Sequence, residues 1–156
     1  MIDLHRILLP TDFSKFSDNA LRYGVAFAEK FGAEIYLLHV VQDLALFIPE
    51  AVMMAGPLTA APVEQFVTAA RTALENVVAK LKLPGIAIHP EVAEGVPYEE
   101  ILRLARERDV DLIVMGTHGH TGLAHVLLGS VSEKVVRRAP CPVLTVRPHE
   151  HEFVHP

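Results

Sequence analysis

Short aliphatic segments alternate along this chain with longer segments of helical periodicity. The aliphatic segments are residues 5–10 (HRILLP), 34–41 (EIYLLHVV), 86–93 (IAIHPEVA), 111–115 (DLIVM) and 143–146 (VLTV). Apolar runs of this length are typical of strands buried on both faces of a parallel sheet. The alternation therefore predicts an α/β fold, a three-layer, doubly wound, parallel five-stranded sheet with right-handed crossovers and helices on both faces.

Between these strands, apolar residues recur at intervals of three and four. In the first such segment the apolar face stops at Gly32, and Ser14 or Ser17 can cap the start of the helix. The other helices are predicted at residues 63–81, from Pro97 onward, and at residues 131–138.

The amino-acid composition limits which classes of protein this chain can belong to. A chain of 156 residues that is 51% hydrophobic and 21% charged can bury the core of one domain, which we place at residues 1–148. The net charge of -5 argues against general nucleic-acid binding, because phosphates are neutralised by clustered Lys and Arg. Cys141 is the only cysteine, and no signal segment or membrane span is recognised, so a cytoplasmic location is expected.

The segment of residues 116–130 (GTHGHTGLAHVLLGS) carries four glycines between a predicted strand and a predicted helix. Glycine lets a ligand approach the backbone, and the first amides of a helix attract anions, which favours phosphate binding. The alternative is purely structural: the glycines shape a turn, and Ser130 caps the helix in a capping box with Glu133. The residues alone leave both interpretations open. Neither GxxxxGK[ST] nor an early GxGxxG is present.

A family resemblance rests on this same segment. Gly116, two residues, Gly119, nine residues and then Gly129-Ser130 resemble the Gly-x2-Gly-x9-Gly-Ser/Thr pattern of ATP-binding universal stress proteins. ILLPTDFS near the start and GSVSEKVVRRAPCPVLTVRP near the end resemble the opening and closing segments of that family, so the likeness covers residues 5–148. It implies an adenine nucleotide alpha hydrolase-like fold with strand order 3-2-1-4-5.

The resemblance also implies where a nucleotide binds. Strands one and four become neighbours whose chains leave in opposite directions, which opens a crevice at their carboxyl ends. Asp12 would hold the ribose or the adenine, although a carboxylate after a strand is also a common turn residue or helix cap. The cofactor is expected to be ATP with Mg²⁺ bound through the phosphates, with no catalytic residue and no metal held by the protein. The expected binding residues are Pro10, Thr11, Asp12, Val40, Val41, Met115, Gly116, His118, Gly119, His120, Gly129, Ser130, Val131 and Ser132.

Histidines are frequent in this loop and in the tail. The spacing of His118, His120 and His125 does not match a known metal-ligand pattern, and many relatives carry Arg or Lys where His120 stands. A phosphate beside one of them would favour its charged form, so ATP affinity is expected to rise as pH falls from about 7.5 to 6. Cys141 is interpreted as a packed small hydrophobe, and residues 149–156 as a disordered His-rich tail.

Two segments suggest partners. Residues 43–58 (DLALFIPEAVMMAGPL) are unusually apolar and are expected either to fold over the crevice or to contact another protein. The last strand lies at a sheet edge, which invites pairing with a second copy, and the resemblance likewise implies a homodimer through this strand.

The leading function is therefore an ATP-binding, nucleotide-responsive stress or signalling module with at most slow ATP hydrolysis, since the glycine loop has no lysine. The alternative is a chaperone-like or partner-binding dimer that works without nucleotide. An AMP-forming transferase related by fold would need a HIGH-type or SGGxDS-type motif, and the sequence has neither.

Overall fold

The computed structural model describes residues 1–42, 63–118 and 128–148. Strands and helices alternate through them in chain order: β1 (Arg6–Pro10), α1 (Lys15–Phe31), β2 (Glu34–Val41), α2 (Val63–Leu81), β3 (Ile88–Glu94), α3 (Pro97–Glu107), β4 (Leu112–Gly116), α4 (Ser130–Arg138) and β5 (Val143–Val146). The predictions made for residues 43–58, for Gly119, His120 and His125, and for the tail of residues 149–156 lie outside this part of the chain.

The strands form one parallel sheet in the order β3-β2-β1-β4-β5. The central strand β1 pairs with β2 from Arg6↔Glu34 to Pro10↔Leu38, and with β4 at Ile7↔Leu112 and Leu8↔Ile113. The predicted α/β class and strand order are thus confirmed. As in other doubly wound sheets, β1 and β4 are neighbours although most of the chain separates them.

Side chains of the central strands point alternately into two apolar layers. Ile7 and Leu9 of β1 pack in the layer that contains α1 and α2, where Leu74 is fully buried. Leu8, between them, packs in the opposite layer with residues of α3 and α4 such as Leu104 and Val135. Because both faces of the sheet are covered, these strands contain aliphatic residues in succession rather than in alternation with polar ones.

The ends of the helices have clear local causes. Of the two candidate caps for α1, Ser14 is the one used, and its hydroxyl accepts a hydrogen bond from the Ser17 amide at 3.3 Å. Gly32 ends this helix in the left-handed conformation, with φ at 67°. The start of β3 was predicted two residues too early, because the Ile86 amide closes a turn on the Leu83 carbonyl instead of joining the sheet. No helix in the described ranges combines the length and the apolar character that a membrane crossing requires.

Gly24 lets α1 pack closely against Leu9 of the sheet, and its substitution tests this packing. A Cβ at position 24 would lie 2.2 Å from a terminal methyl of Leu9, which is only 1% exposed. At so short a separation the overpacking should cost about 2–3 kcal/mol, the upper part of the usual range, which exceeds the gain of about 1 kcal/mol that Ala normally brings to a helix. We expect Gly24→Ala to lower the free energy of unfolding in urea by about 1–2 kcal/mol.

The control is the same change in a Leu9→Ala background. There the methyl groups of Leu9 are gone, so Gly24→Ala should become neutral or stabilising. A Gly24→Ala protein as stable as the unsubstituted one would contradict the close packing.

Candidate functional site

A cleft with a volume of about 310 Å³ opens at the carboxyl ends of β1, β2 and β4. It lies where β1 and β4 direct the chain to opposite faces of the sheet, and a crevice forms between two connections that diverge in this way. Among the described residues, those that line it and were predicted as ligands are Pro10, Thr11, Asp12, Val40, Met115, Gly116, His118, Gly129, Ser130, Val131 and Ser132.

One wall of the cleft is the start of α4, which is hydrogen-bonded to Thr117, the residue after β4. The Gly129 amide donates to the Thr117 carbonyl at 2.6 Å, and the Ser132 hydroxyl lies 3.1 Å from the same oxygen. Glycine favours this close approach, because a Cβ at position 129 would lie 3.0 Å from that carbonyl oxygen, closer than an ordinary contact. Thr117 is itself held by its amide, which donates to the Val146 carbonyl of β5 at 3.0 Å. The buried Thr117 therefore joins β4, β5 and α4.

The predicted capping box does not form. Gly129 is extended and its carbonyl accepts the first helical hydrogen bond, from the Glu133 amide at 2.9 Å, so Gly129 is the N-cap and Ser130 is the first helical residue. The Glu133 side chain pairs with Arg137 instead of returning to the cap. The interpretation of Ser130 as the cap is thus wrong. The hydroxyl of Ser132 lies 2.9 Å from the Gly129 carbonyl, so this residue holds the turn and Ser130 does not.

The first amides of α4 are available to a ligand. Within the described residues, the main-chain N–H groups of Ser130, Val131 and Ser132 donate to no protein acceptor. These three residues line the cleft. Unpaired amides at a helix N-terminus, together with the partial positive charge of the helix dipole, favour an anion at this position.

The opposite wall is the turn after β1. The Thr11 amide continues the pairing with β2 by donating to the Leu38 carbonyl at 2.8 Å. Asp12 accepts a hydrogen bond from the Ser14 amide at 3.0 Å through Oδ1, so the carboxylate does act as a turn residue. The same residue lines the cleft, which means that the two roles considered for Asp12 are compatible.

Apolar side chains line the cleft between these walls. Val40, Met115 and Ile101 are in the same apolar layer, and Leu38 and Pro97 also line the cleft. Val41 does not, because alternation along β2 turns it to the other face, where it borders a separate depression with Phe13 and Phe66.

The other lining residues were not among the predicted ligands: Ser17, Leu38, His39, Gln42, Pro97, Ile101 and Thr117. For Leu38, the available signal was the two-residue period of β2, which places it on the same face as the predicted ligand Val40. For Ile101, the signal was the helical period of α3, which places it on the same apolar face as Leu104 and Ala105.

His118 and Cys141 carry potentially reactive groups, and the structure shows the environment of each. His118 lines the cleft, and its Nδ1 lies 2.8 Å from the Thr117 hydroxyl. Burial raises the pKa of the Cys141 thiol, and the negative charge of Asp111 raises it further, so the neutral thiol is favoured. In the part of the chain that the structure describes, no three His, Cys, Asp or Glu side chains come together as a metal site.

The two serines at the start of α4 provide a matched pair of tests. Ser132→Ala removes a buried hydroxyl that bonds to main-chain carbonyls and should lower the free energy of unfolding by about 1 kcal/mol. Ser130→Ala should change it by less than about 0.5 kcal/mol, because Ser130 is exposed and is not the cap. Chemical denaturation of both variants would measure the difference. A larger loss of stability in Ser130→Ala than in Ser132→Ala would instead support the capping box.

Comparison with known proteins agrees with this architecture. The model of the "Universal stress protein family" matches residues 4–147. The universal stress protein MJ0531 of Methanocaldococcus jannaschii is 39% identical over 147 residues, which cover 94% of this chain and 84% of that protein. The solved structure of MJ0577 from the same organism has a TM-score of 0.79 at 32% identity and covers 97% of this chain and 100% of that one.

A universal stress protein solved in complex with cAMP has a TM-score of 0.64 at 24% identity and covers 95% of this chain and 100% of that one, a likeness that concerns the fold. The family match and the curated relative each extend over more than nine-tenths of the present sequence. The chain therefore belongs to the universal stress protein family.

Proposed function

We propose that this protein binds ATP in the cleft and acts as a nucleotide-responsive stress or signalling module, with at most slow ATP hydrolysis. The observation that carries the proposal is the row of unpaired amides at the start of α4, which adjoins an apolar slot in the same cleft. A polyphosphate and a flat base are the two halves of a nucleotide, and they need these two environments.

The phosphate half of the proposal rests on preorganisation. Thr117 holds Gly129 and Ser132 in place, so the amides of Ser130 to Ser132 need no rearrangement to meet an anion. One exposed charge near a helix N-terminus gains only about 0.3–1 kcal/mol from the dipole. Tight binding therefore requires several amides together, and Mg²⁺ on the phosphates would reduce their mutual repulsion.

The base and ribose half rests on shape and polarity. A cleft of about 310 Å³ lies at the lower end of the size range of small-molecule sites. Val40, Ile101 and Met115 would cover the base, and the Asp12 carboxylate could accept hydrogen bonds from ribose hydroxyls. The solved relative that holds cAMP has this fold, and the proposal extends the adenine-nucleotide class to the present chain.

A proline substitution at the first position of α4 tests the phosphate contacts. Ser130→Pro removes one amide donor, and Gly129, with φ at -66° and ψ at 159°, already has the conformation preferred before proline. We expect ATP binding to weaken by about tenfold to a hundredfold in calorimetric titration with Mg²⁺, because hydrogen bonds to charged groups are worth about 1.5–3 kcal/mol. Adenosine, which has no phosphate, should bind both proteins equally.

Ser130→Ala is the control, since it removes the hydroxyl and keeps the amide. If Ser130→Pro binds ATP as tightly as Ser130→Ala, the Ser130 amide does not hold phosphate. Failure of the purified wild-type protein to bind any adenine nucleotide would favour the alternative, a partner-binding dimer that works without nucleotide.

We also propose that the protein forms a homodimer through β5. This strand pairs with β4 on one side and is last in the sheet order. The carbonyls of Pro142 and Val146 accept hydrogen bonds from Ile113 of β4 and from Thr117, the residue after β4. The alternate residues Val143 and Thr145 therefore direct their main-chain groups away from the sheet. Such an edge is a template for pairing with a second copy.

Thr145→Pro tests this pairing. The substitution removes an outward N–H that the sheet of one subunit does not use, and proline is tolerated on edge strands. Sedimentation equilibrium should show a monomer for Thr145→Pro and a dimer for the control Thr145→Val, which keeps the amide. A dimer of unchanged affinity in the proline variant would place the interface elsewhere.

The remaining parts of the proposal concern location and a further partner. A cytoplasmic location accords with the single cysteine, which can form no disulfide within the chain. Residues 43–58 remain a candidate contact for another protein because of their apolar composition.

A further inference from the structure

His39 lies on β2 between two concave surfaces. It borders the nucleotide cleft, and it also borders the depression formed with Phe13 and Phe66 on the other side. Its Nδ1 is 2.8 Å from the main-chain carbonyl oxygen of Thr11. A carbonyl oxygen can only accept, so Nδ1 carries the proton in this contact, and the neutral ring is the Nδ1–H tautomer.

Thr11, the hydrogen-bond partner of His39, makes several of the contacts that hold the turn after β1. Besides the bond of its amide to Leu38, Thr11 accepts a hydrogen bond from the Phe13 amide through Oγ1 at 3.1 Å. The same hydroxyl lies 3.1 Å from the Ser17 hydroxyl in α1. The next residue, Asp12, accepts from the Ser14 amide. Any movement of Thr11 would therefore move the Asp12 carboxylate relative to the cleft.

This turn has an unfavourable backbone conformation that must be held by its surroundings. Phe13 has φ at 62°, the left-handed region that a residue with a Cβ seldom occupies. Its ring lies against the imidazole of His39, with 4.5 Å between the ring centroids. His39 thus contacts the turn twice, by a hydrogen bond to Thr11 and by ring packing on Phe13.

We infer that His39 is a positioning residue for the nucleotide site: by donating from Nδ1 to the Thr11 carbonyl, it fixes the turn that presents Asp12 to the ribose. The inference rests on the proposed function, because it assigns His39 an effect on nucleotide affinity. It differs from a ligand contact, in which the ring itself would bind the nucleotide through Nε2.

A His39→Asn substitution distinguishes the positioning role from a direct contact between the ring and the nucleotide. Its side-chain amide can place an N–H donor near the position of the imidazole Nδ1 but has no group at the position of Nε2. We expect His39→Leu to weaken binding of ATP by about tenfold and His39→Asn to stay within about threefold of wild type. His89→Leu is the matched control. Like His39, His89 is a half-buried histidine on a strand, and it is hydrogen-bonded to the Glu34 side chain at 2.9 Å. Unlike His39, it lies outside the cleft.

A second readout needs no nucleotide. Hydrogen exchange of the Phe13 and Ser14 amides, both of which donate to side chains of the turn, reports the order of the turn directly. Exchange at these amides should be faster in His39→Leu than in wild type and His39→Asn, and unchanged in His89→Leu. Nitrogen chemical shifts of His39 should show the proton of the neutral ring on Nδ1.

The outcomes separate this inference from the proposed function. Wild-type affinity in His39→Leu, equal losses in His39→Asn and His39→Leu, or a neutral ring protonated on Nε2 would each overturn the positioning role. If wild type binds no nucleotide, the proposed function fails, and the exchange rates alone decide whether His39 holds the turn: equal rates in all variants would overturn it.

Discussion

The pairing of β1 with β4 is the contact on which the rest of the structure depends. It brings together Ile7 with Leu112 and Leu8 with Ile113, residues that are about a hundred positions apart in the sequence. From these neighbouring strands the chain departs to opposite layers, toward α1 on one face and α4 on the other. A crevice at their carboxyl ends follows, since the two connections diverge from it. Its position is therefore a consequence of topology, before any ligand-binding residue is considered.

Each wall of this crevice is held through a main-chain carbonyl. On the α4 side, the Thr117 carbonyl accepts from the Gly129 amide and lies within bonding distance of the Ser132 hydroxyl. On the β1 side, the Thr11 carbonyl is bonded to His39. Both arrangements fix the backbone beyond the ends of the strands, where sheet pairing no longer does so. A site built in this way loses little entropy on binding, because its donors are already oriented.

Local signals in the sequence were sufficient for most elements. The aliphatic segments and the helical stripes predicted every described strand and helix, and β5 and β2 have the predicted bounds. The errors occurred where another local contact competed. Ser130 matched a capping pattern, but Gly129 had the extended backbone of the cap, and the hydroxyl of Ser132 bonds to the Gly129 carbonyl. Val41 was placed in the cleft with Val40, although successive residues of a strand face opposite sides of the sheet.

The sequence by itself determined the class of the fold, the glycine loop and the family, because these depend on periodicity and spacing within short segments. Only the tertiary structure decided which amides of α4 stay unpaired and which wall His39 supports. Both facts depend on contacts between residues far apart in the sequence, such as His39 with Thr11 and Thr117 with Gly129. Local propensity carries no information about such contacts, because they form only when the parallel strands have brought their ends to the same edge of the sheet.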